Sequence, residues 1–346
     1  MKKNWYLITM FLLSILMLTA CSEGSSGTEN TEADDVIEIV WLPTSSGTDM
    51  KPSRDEIGRV IKETTGKAVE HILTTDYAIA IETLVNNNAD LAFIGAQAYI
   101  EANKGNDAVQ PLVVHTGPSG TLDDAVYQSW LAVNVDDQEN FKIDGDFSLD
   151  TIEGKSMSFV STSSTSGFKV PASSIIEHFS KKEKYADLAE EDLMEGGQLF
   201  SQVLFGNSHQ GSAVNLLNGN AEVAAFCDSC VDNYVEVAEG EANSVGAVYR
   251  VQNDASEPFN KLGGSEFTLM SVTSVLNEPF VANLDVLGQE DFDKLQEMFT
   301  SDEIANNEQI FVPEDSGESG SFFKSDKERF APVEDSWFDP IRKLSE

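Results

Sequence analysis

Between Val36 and Gly95 the chain runs VIEIVWL (36–42), SRDEIGRVIKETTG (53–66), VEHIL (69–73), DYAIAIETLV (76–85) and ADLAFIG (89–95). Short β-rich runs alternate here with apolar residues at helical spacing, the pattern of an α/β fold. Val36 to Leu42 is expected as a strand. Ser53-Arg54-Asp55-Glu56 has the form of a capping box, followed by Ile57, Val60 and Ile61 on one face and by Gly66 as a stop. Val69 to Leu73 is a second strand. Asp76 caps a helix that lines up Tyr77, Ile81, Leu84 and Val85, and Ala89 to Ile94 is a third strand, ending in Gly95 and a further helix. Val109 to His115 and Gln128 to Val135 add two strands.

The same rhythm restarts beyond a polar, acidic stretch, Asp136 to Asp150. Lys155 to Val160 is expected as a strand, and a helix through Ile175, Ile176 and Phe179 follows. Leu199 to Phe205, His209 to Leu217, Ala221 to Phe226 and Val231 to Ala238 then give strand, helix, strand and helix. Val245 to Val251 and Glu266 to Val272 are two more strands. The tail is expected to be helical, around Phe292, Leu295 and Phe299 and again from Phe338 to Leu344. No repeat of fixed period occurs; two αβ halves of similar size suggest a cleft between them.

Before this region stands a different kind of segment. Lys2 and Lys3 precede an apolar run from Trp5 to Leu18, shorter than the ~20 residues that cross a bilayer. Leu18-Thr19-Ala20-Cys21 resembles a bacterial lipoprotein box, in which the cysteine is lipidated and becomes the new N-terminus. Residues 1–20 are thus expected as a signal peptide and 21–35 as a lipid-anchored polar tether. The chain would face the extracellular or periplasmic side of the cell membrane.

With 346 residues, 41% of them hydrophobic, the chain can bury one large core or two smaller ones. The 59 acidic residues against 22 basic ones give a net charge of −37. Nucleic acid is excluded as a partner on that balance, because counterion release requires a basic footprint. A solvated acidic surface that keeps the domain soluble is the plain reading of the charge. No Asp-x-Asp-x-Asp-Gly loop, Walker loop, Gly-x-Ser-x-Gly elbow or His-Glu-x-x-His motif occurs, and the histidines are too scattered for a transition-metal site. No catalytic residue, metal or cofactor is expected.

Three stretches carry a family resemblance: Thr75-Asp76-Tyr77-Ala78; Ala89-Asp90-Leu91-Ala92-Phe93-Ile94-Gly95; and Ser164-Thr165-Ser166-Gly167-Phe168 with Val170-Pro171. In this order and spacing they resemble the phosphonate/phosphite/phosphate-type substrate-binding proteins of ABC importers. The resemblance implies a two-lobed, hinged periplasmic-binding (type II, Venus flytrap) fold with the ligand cleft between lobes. It places lobe one at 36–132, lobe two at 133–265 and the return to lobe one at 266–346. It implies capture of a small phosphorus oxyanion by a monomer that delivers it to a permease and its ATPase. A different small anion, a vitamin precursor or a sensor role on the same fold is the alternative.

The chemistry is intelligible without the family. A tetrahedral oxyanion needs converging donors, and a helix start at the carboxyl end of a sheet supplies N–H groups and a positive dipole end. Ser164, Thr165 and Ser166 add three hydroxyls there, with no lysine or arginine required. Pro171 suits only a first helical turn, so that helix starts near Phe168 or is kinked. By resemblance, Tyr77 and Tyr127 each bring a phenolic donor, and His209 matches the family's histidine at another helix start. Asp228 stands near the family's acidic site residue, where it would select a protonated P–OH or an amino group. The chain departs from the family after Gly95, where Gln97-Ala98 replace a common serine. Cys227-Asp228-Ser229-Cys230, expected between a strand and a helix, is open to a local disulfide, free buried thiols or a redox pair.

Overall fold

Two β-sheets organise the chain, of which the computed structural model describes residues 36–345. The expected signal segment, tether and Cys21 lie outside the described residues. In chain order the strands are β1 (Val36–Trp41), β2 (Ala68–Leu73), β3 (Leu91–Phe93), β4 (Val109–His115), β5 (Val126–Asn134), β6 (Lys142–Ile143), β7 (Asp146–Phe147), β8 (Ser156–Phe159) and β9 (Gln202–Phe205). They continue as β10 (Val223–Cys227), β11 (Val235–Glu239), β12 (Val248–Val251), β13 (Glu266–Leu276), β14 (Pro279–Asn283), β15 (Phe311–Pro313), β16 (Phe322–Lys324) and β17 (Phe330–Pro332). The helices that matter below are α1 (Lys51–Thr65), α2 (Tyr77–Val85), α3 (Ala96–Gly105), α4 (Val170–Phe179) and α5 (His209–Leu217).

The first sheet has the order β17-β4-β14-β3-β1-β2, and the second β11-β12-β13-β5-β10-β8-β9. In each, three strands run parallel: β2, β1 and β3 in one, β9, β8 and β10 in the other. The neighbouring strands added beside them are antiparallel. Apolar clusters pack against both sheets, one around Trp41, Phe93 and Phe280, another around Phe159, Phe168 and Phe179. Parallel strands covered by helices direct their carboxyl ends to one edge, where ligands of such sheets bind. In this chain those edges face each other.

The chain changes sheet at different points from those expected. β5 and β13 pair antiparallel along nearly their whole length in the second sheet, from Phe267 opposite Asn134 to Leu276 opposite Val126. The crossings therefore fall at Ala125 and at Asn277-Glu278, where Asn277 N–H donates to Ala125 O at 3.0 Å, rather than at 132/133 and 265/266. A long two-stranded ribbon carries both passages, and such ribbons are set by register, which composition does not reveal.

Three local expectations also change. Pro52 sits in the first turn of α1, so the helix begins at Lys51 and Ser53 is buried inside it, its Oγ accepting from Ser321 N–H; it makes no capping box. Residues 231–238 do not form a helix: a tight turn leads into β11, where Val235 is buried and Val237 exposed. The tail adds three short strands, one of which, β17, closes the edge of the first sheet beside β4. Gly66 (φ +77°) and Asp76, whose carboxylate accepts from Ala78 N–H at 2.7 Å, act at the ends of α1 and α2 as expected.

Candidate functional site

Beyond β8 the backbone makes a single π-helical turn, Thr165–Lys169, before α4 starts at Val170. Ser164 is its cap, its Oγ accepting from Gly167 N–H at 3.1 Å. Pro171 has no N–H to continue the wide turn, so the Ser166 carbonyl is left for another donor, the Ser129 hydroxyl at 2.7 Å. The regular helix thus starts at Val170, two residues beyond the expected Phe168, with Pro171 in its first turn. Gly167 is needed because a Cβ there would come within 2.2 Å of the Val160 side chain.

His209 opens α5 at the end of β9, and it is fully enclosed. Cys227 N–H donates to His209 Nδ1 at 3.1 Å, which assigns the ring hydrogen to Nε2. Nε2 lies 3.3 Å from Ser164 Oγ and donates to it. Burial pushes the imidazole down to about 3, so the ring stays neutral and keeps that tautomer. The turn supplying the Cys227 N–H is closed by a Cys227–Cys230 disulfide, so the Cys-x-x-Cys motif does not hold two free thiols here. The sulfurs also lie near His209. Bonded to each other, they do not serve as metal ligands.

The first lobe supplies the opposing wall from the ends of β1, β2 and β3. Thr44 follows β1, in a turn braced by Arg54, which donates to the Gly47 carbonyl at 2.8 Å. Tyr77, the first residue of α2, is buried and shares hydrogen bonds with Ser164 and Thr44. Gly95 precedes α3, and the Gln97 N–H in that helix's first turn donates to Thr165 Oγ1 at 2.9 Å. Tyr127, at the first crossing, donates to Ser166 Oγ at 3.1 Å. Burial foremost, and then the charge of Glu278, raise both phenols above their ordinary range, so both remain donors.

The lobes touch elsewhere too. Ser163 Oγ donates to Glu101 at 2.6 Å, Gln210 Nε2 to the Thr44 carbonyl at 3.2 Å, and the Tyr234 hydroxyl to Asp49 at 2.6 Å.

The expected residues Tyr77, Tyr127, Ser164, Thr165, Ser166 and His209 are therefore brought together from both lobes. Asp228 is placed at their edge. Its Oδ1 accepts from Gln128 N–H at 2.9 Å and Ser229 N–H at 2.7 Å, pinning β5 to the turn after β10 next to Tyr127. Burial, opposed by these N–H groups, lifts it to about 6. Glu278, which sequence reasoning missed, stands at the second crossing. A Cβ on Gly95 would lie 2.9 Å from Thr165 Oγ1 and 3.6 Å from Glu278 Oε1, so the carboxyl borders the hydroxyl cradle. Enclosure by protein raises it to about 7.

Each cradle hydroxyl accepts a hydrogen bond: Ser164 from Gly167 N–H, Thr165 from Gln97 N–H, Ser166 from Tyr127. Thr165 and Ser166 consequently keep their own protons to give, while Ser164 also accepts from His209 and is shared with Tyr77. Such an array suits a small oxyanion.

Residues 39–338 match the model of the family described as ABC transporter, phosphonate, periplasmic substrate-binding protein. A phosphate-import protein, PhnD, of Mycolicibacterium smegmatis is 27% identical over 335 residues, 95% of this chain and 91% of that one. Among solved structures, PhnD1 of Prochlorococcus marinus in complex with methylphosphonate aligns with a TM-score of 0.62 at 14% identity, covering 90% of this chain and 97% of that one. The binding-protein component of a Pseudomonas aeruginosa ABC phosphonate transporter aligns with a TM-score of 0.60 at 19% identity, covering 89% and 85%.

Proposed function

Because the chain belongs to the phosphonate-type periplasmic substrate-binding proteins of ABC transporters, we propose that its lobes close on a small phosphorus oxyanion held by Tyr77, Tyr127, Ser164, Thr165, Ser166 and His209. The observation that carries this reading is the row of three hydroxyls, of which Thr165 and Ser166 each accept one hydrogen bond and keep their protons to donate. The Mycolicibacterium relative that imports phosphate and the Prochlorococcus fold neighbour that holds methylphosphonate support the ligand class.

The cradle works without a formal positive charge. Neutral hydroxyls solvate the anion as water would, with His209 orienting Ser164, and the start of α5 adds its dipole. Hydrogen bonds to a charged partner are worth ~1.5–3 kcal/mol each, so several can hold an anion on a protein of net charge −37. Contacts from both lobes favour the closed arrangement, and that arrangement is what a permease recognises.

The family is one of transport proteins rather than enzymes, and in this reading the bound anion leaves chemically unchanged. The chain acts as a monomer, tethered by a lipid on Cys21. Among the described residues no helix is long and apolar enough to cross a membrane.

Calorimetric titration with phosphate, phosphite and methylphosphonate, beside sulfate and taurine, tests the reading. One-to-one binding of at least one phosphorus anion, with no new species by phosphorus NMR, is expected. Saturable binding of sulfate or taurine alone would overturn it.

A further inference from the structure

Beside the hydroxyl cradle lies a small cavity of about 40 Å³ whose lining includes Thr44, Met50, Phe93, His115, Glu278 and Ser321. Two of its groups have no role so far. His115 ends β4, its ring packed against Phe322, and its Nδ1 is buried without a hydrogen-bond partner. Glu278 reaches the cavity from the second crossing, and neither lysine nor arginine lines the space. A buried polar atom left unpaired costs the desolvation of that atom, so its persistence points to something that pairs with it.

We infer that this chamber receives the fourth substituent of the bound phosphorus and that this substituent is a hydroxyl, so that the anion carried is phosphate rather than a phosphonate or phosphite. The inference rests on the phosphorus-oxyanion reading above and adds a specificity element to it. A P–O(H) group accepts and donates, and can therefore meet both Glu278 and His115. Burial pushes His115 down to about 4, which keeps the ring neutral. Glu278, lifted to about 7, donates to an ionised oxygen when protonated and accepts from P–OH when ionised. The methyl of methylphosphonate and the P–H of phosphite pair with neither. They would leave two polar groups desolvated and unpaired, the condition under which a site discriminates best. Size acts only against a longer substituent such as aminoethyl, since the cavity holds roughly one to three water-sized groups.

The test is calorimetry at pH 7 on the wild-type protein with phosphate, phosphite, methylphosphonate and 2-aminoethylphosphonate, repeated on His115→Phe and Glu278→Gln. Phosphate is expected to bind at least about tenfold more tightly than the others, and His115→Phe to shrink that margin to about threefold, chiefly by weakening phosphate. The inference is overturned if any of the other three matches or exceeds phosphate on the wild type, a ranking that needs no variant to fold. It is equally overturned if the margin survives both substitutions. Binding of methylphosphonate in first place would leave the phosphorus-oxyanion reading standing, whereas no binding of any of the four would remove both.

Discussion

Gly95→Ala replaces a hydrogen with a methyl group where the first lobe closely approaches Thr165 of the second. The backbone there is extended (φ −67°, ψ 161°), a conformation alanine adopts without strain. The new Cβ would stand 2.9 Å from Thr165 Oγ1, closer than real Cβ contacts allow, and 3.6 Å from Glu278 Oε1. Thr165 cannot turn aside cheaply. It is β-branched, 2% exposed, and held by the Gln97 N–H at 2.9 Å. Relief comes from parting the lobes by a few tenths of an ångström, which stretches the Gln97 bond to Thr165. Overpacking of this kind costs ~1–3 kcal/mol, and it falls on the closed arrangement alone. Ligand affinity should drop about 5- to 150-fold at ~1.4 kcal/mol per decade. The first lobe by itself loses nothing, so the ligand-free melting temperature should hold. Calorimetry and thermal melts of the purified variant read the two quantities. The double variant Gly95→Ala/Thr165→Ala separates sterics from everything else, because removing the Thr165 side chain removes the clash; it should bind no worse than Thr165→Ala alone. Unchanged affinity in Gly95→Ala, or a double variant showing the full sum of both losses, would refute the reasoning.

Glu278→Gln should change how stability depends on pH. The folded-state value, about 7, lies above the unfolded one, so the native chain holds the extra proton between roughly pH 4.5 and 7. The stability this confers is fully present below about pH 4.5 and lost as pH rises through 7. The glutamine variant loses none of it, so its melting temperature relative to wild type should climb from pH 5 to pH 8; a constant gap would show that Glu278 titrates normally. Cys21→Ser should abolish incorporation of labelled fatty acid in cells, and a variant that still carried the label would end the anchor assignment.

The parts of the site that were legible in the sequence are those set by local chemistry. Asp76 ahead of Tyr77, the three hydroxyls ahead of Gly167, and Ser208 ahead of His209 each mark a helix beginning, and helix beginnings after strands converge at one edge of an α/β sheet. Long-range pairing was not legible. The alternation Val235-Glu236-Val237 is a strand signal of only three residues, and it became β11 because β12 offered it an antiparallel edge. Nothing near Glu278 marks it either. Asn277-Glu278-Pro279 has the composition of a surface turn, and its carboxyl comes beside Gly95 only because β13 pairs with β5 and β14 inserts between β3 and β4. Both crossings carry a site residue, Tyr127 at one and Glu278 at the other, and the charge of Glu278 bears on the Tyr127 phenol. The hinge therefore borders the proposed binding surface. Tyr127 lies just beyond the first crossing, on the second sheet with the cradle, so a hinge rotation carries the Tyr127–Ser166 pair as one body and shifts it against the first-lobe wall of Tyr77 and Gly95.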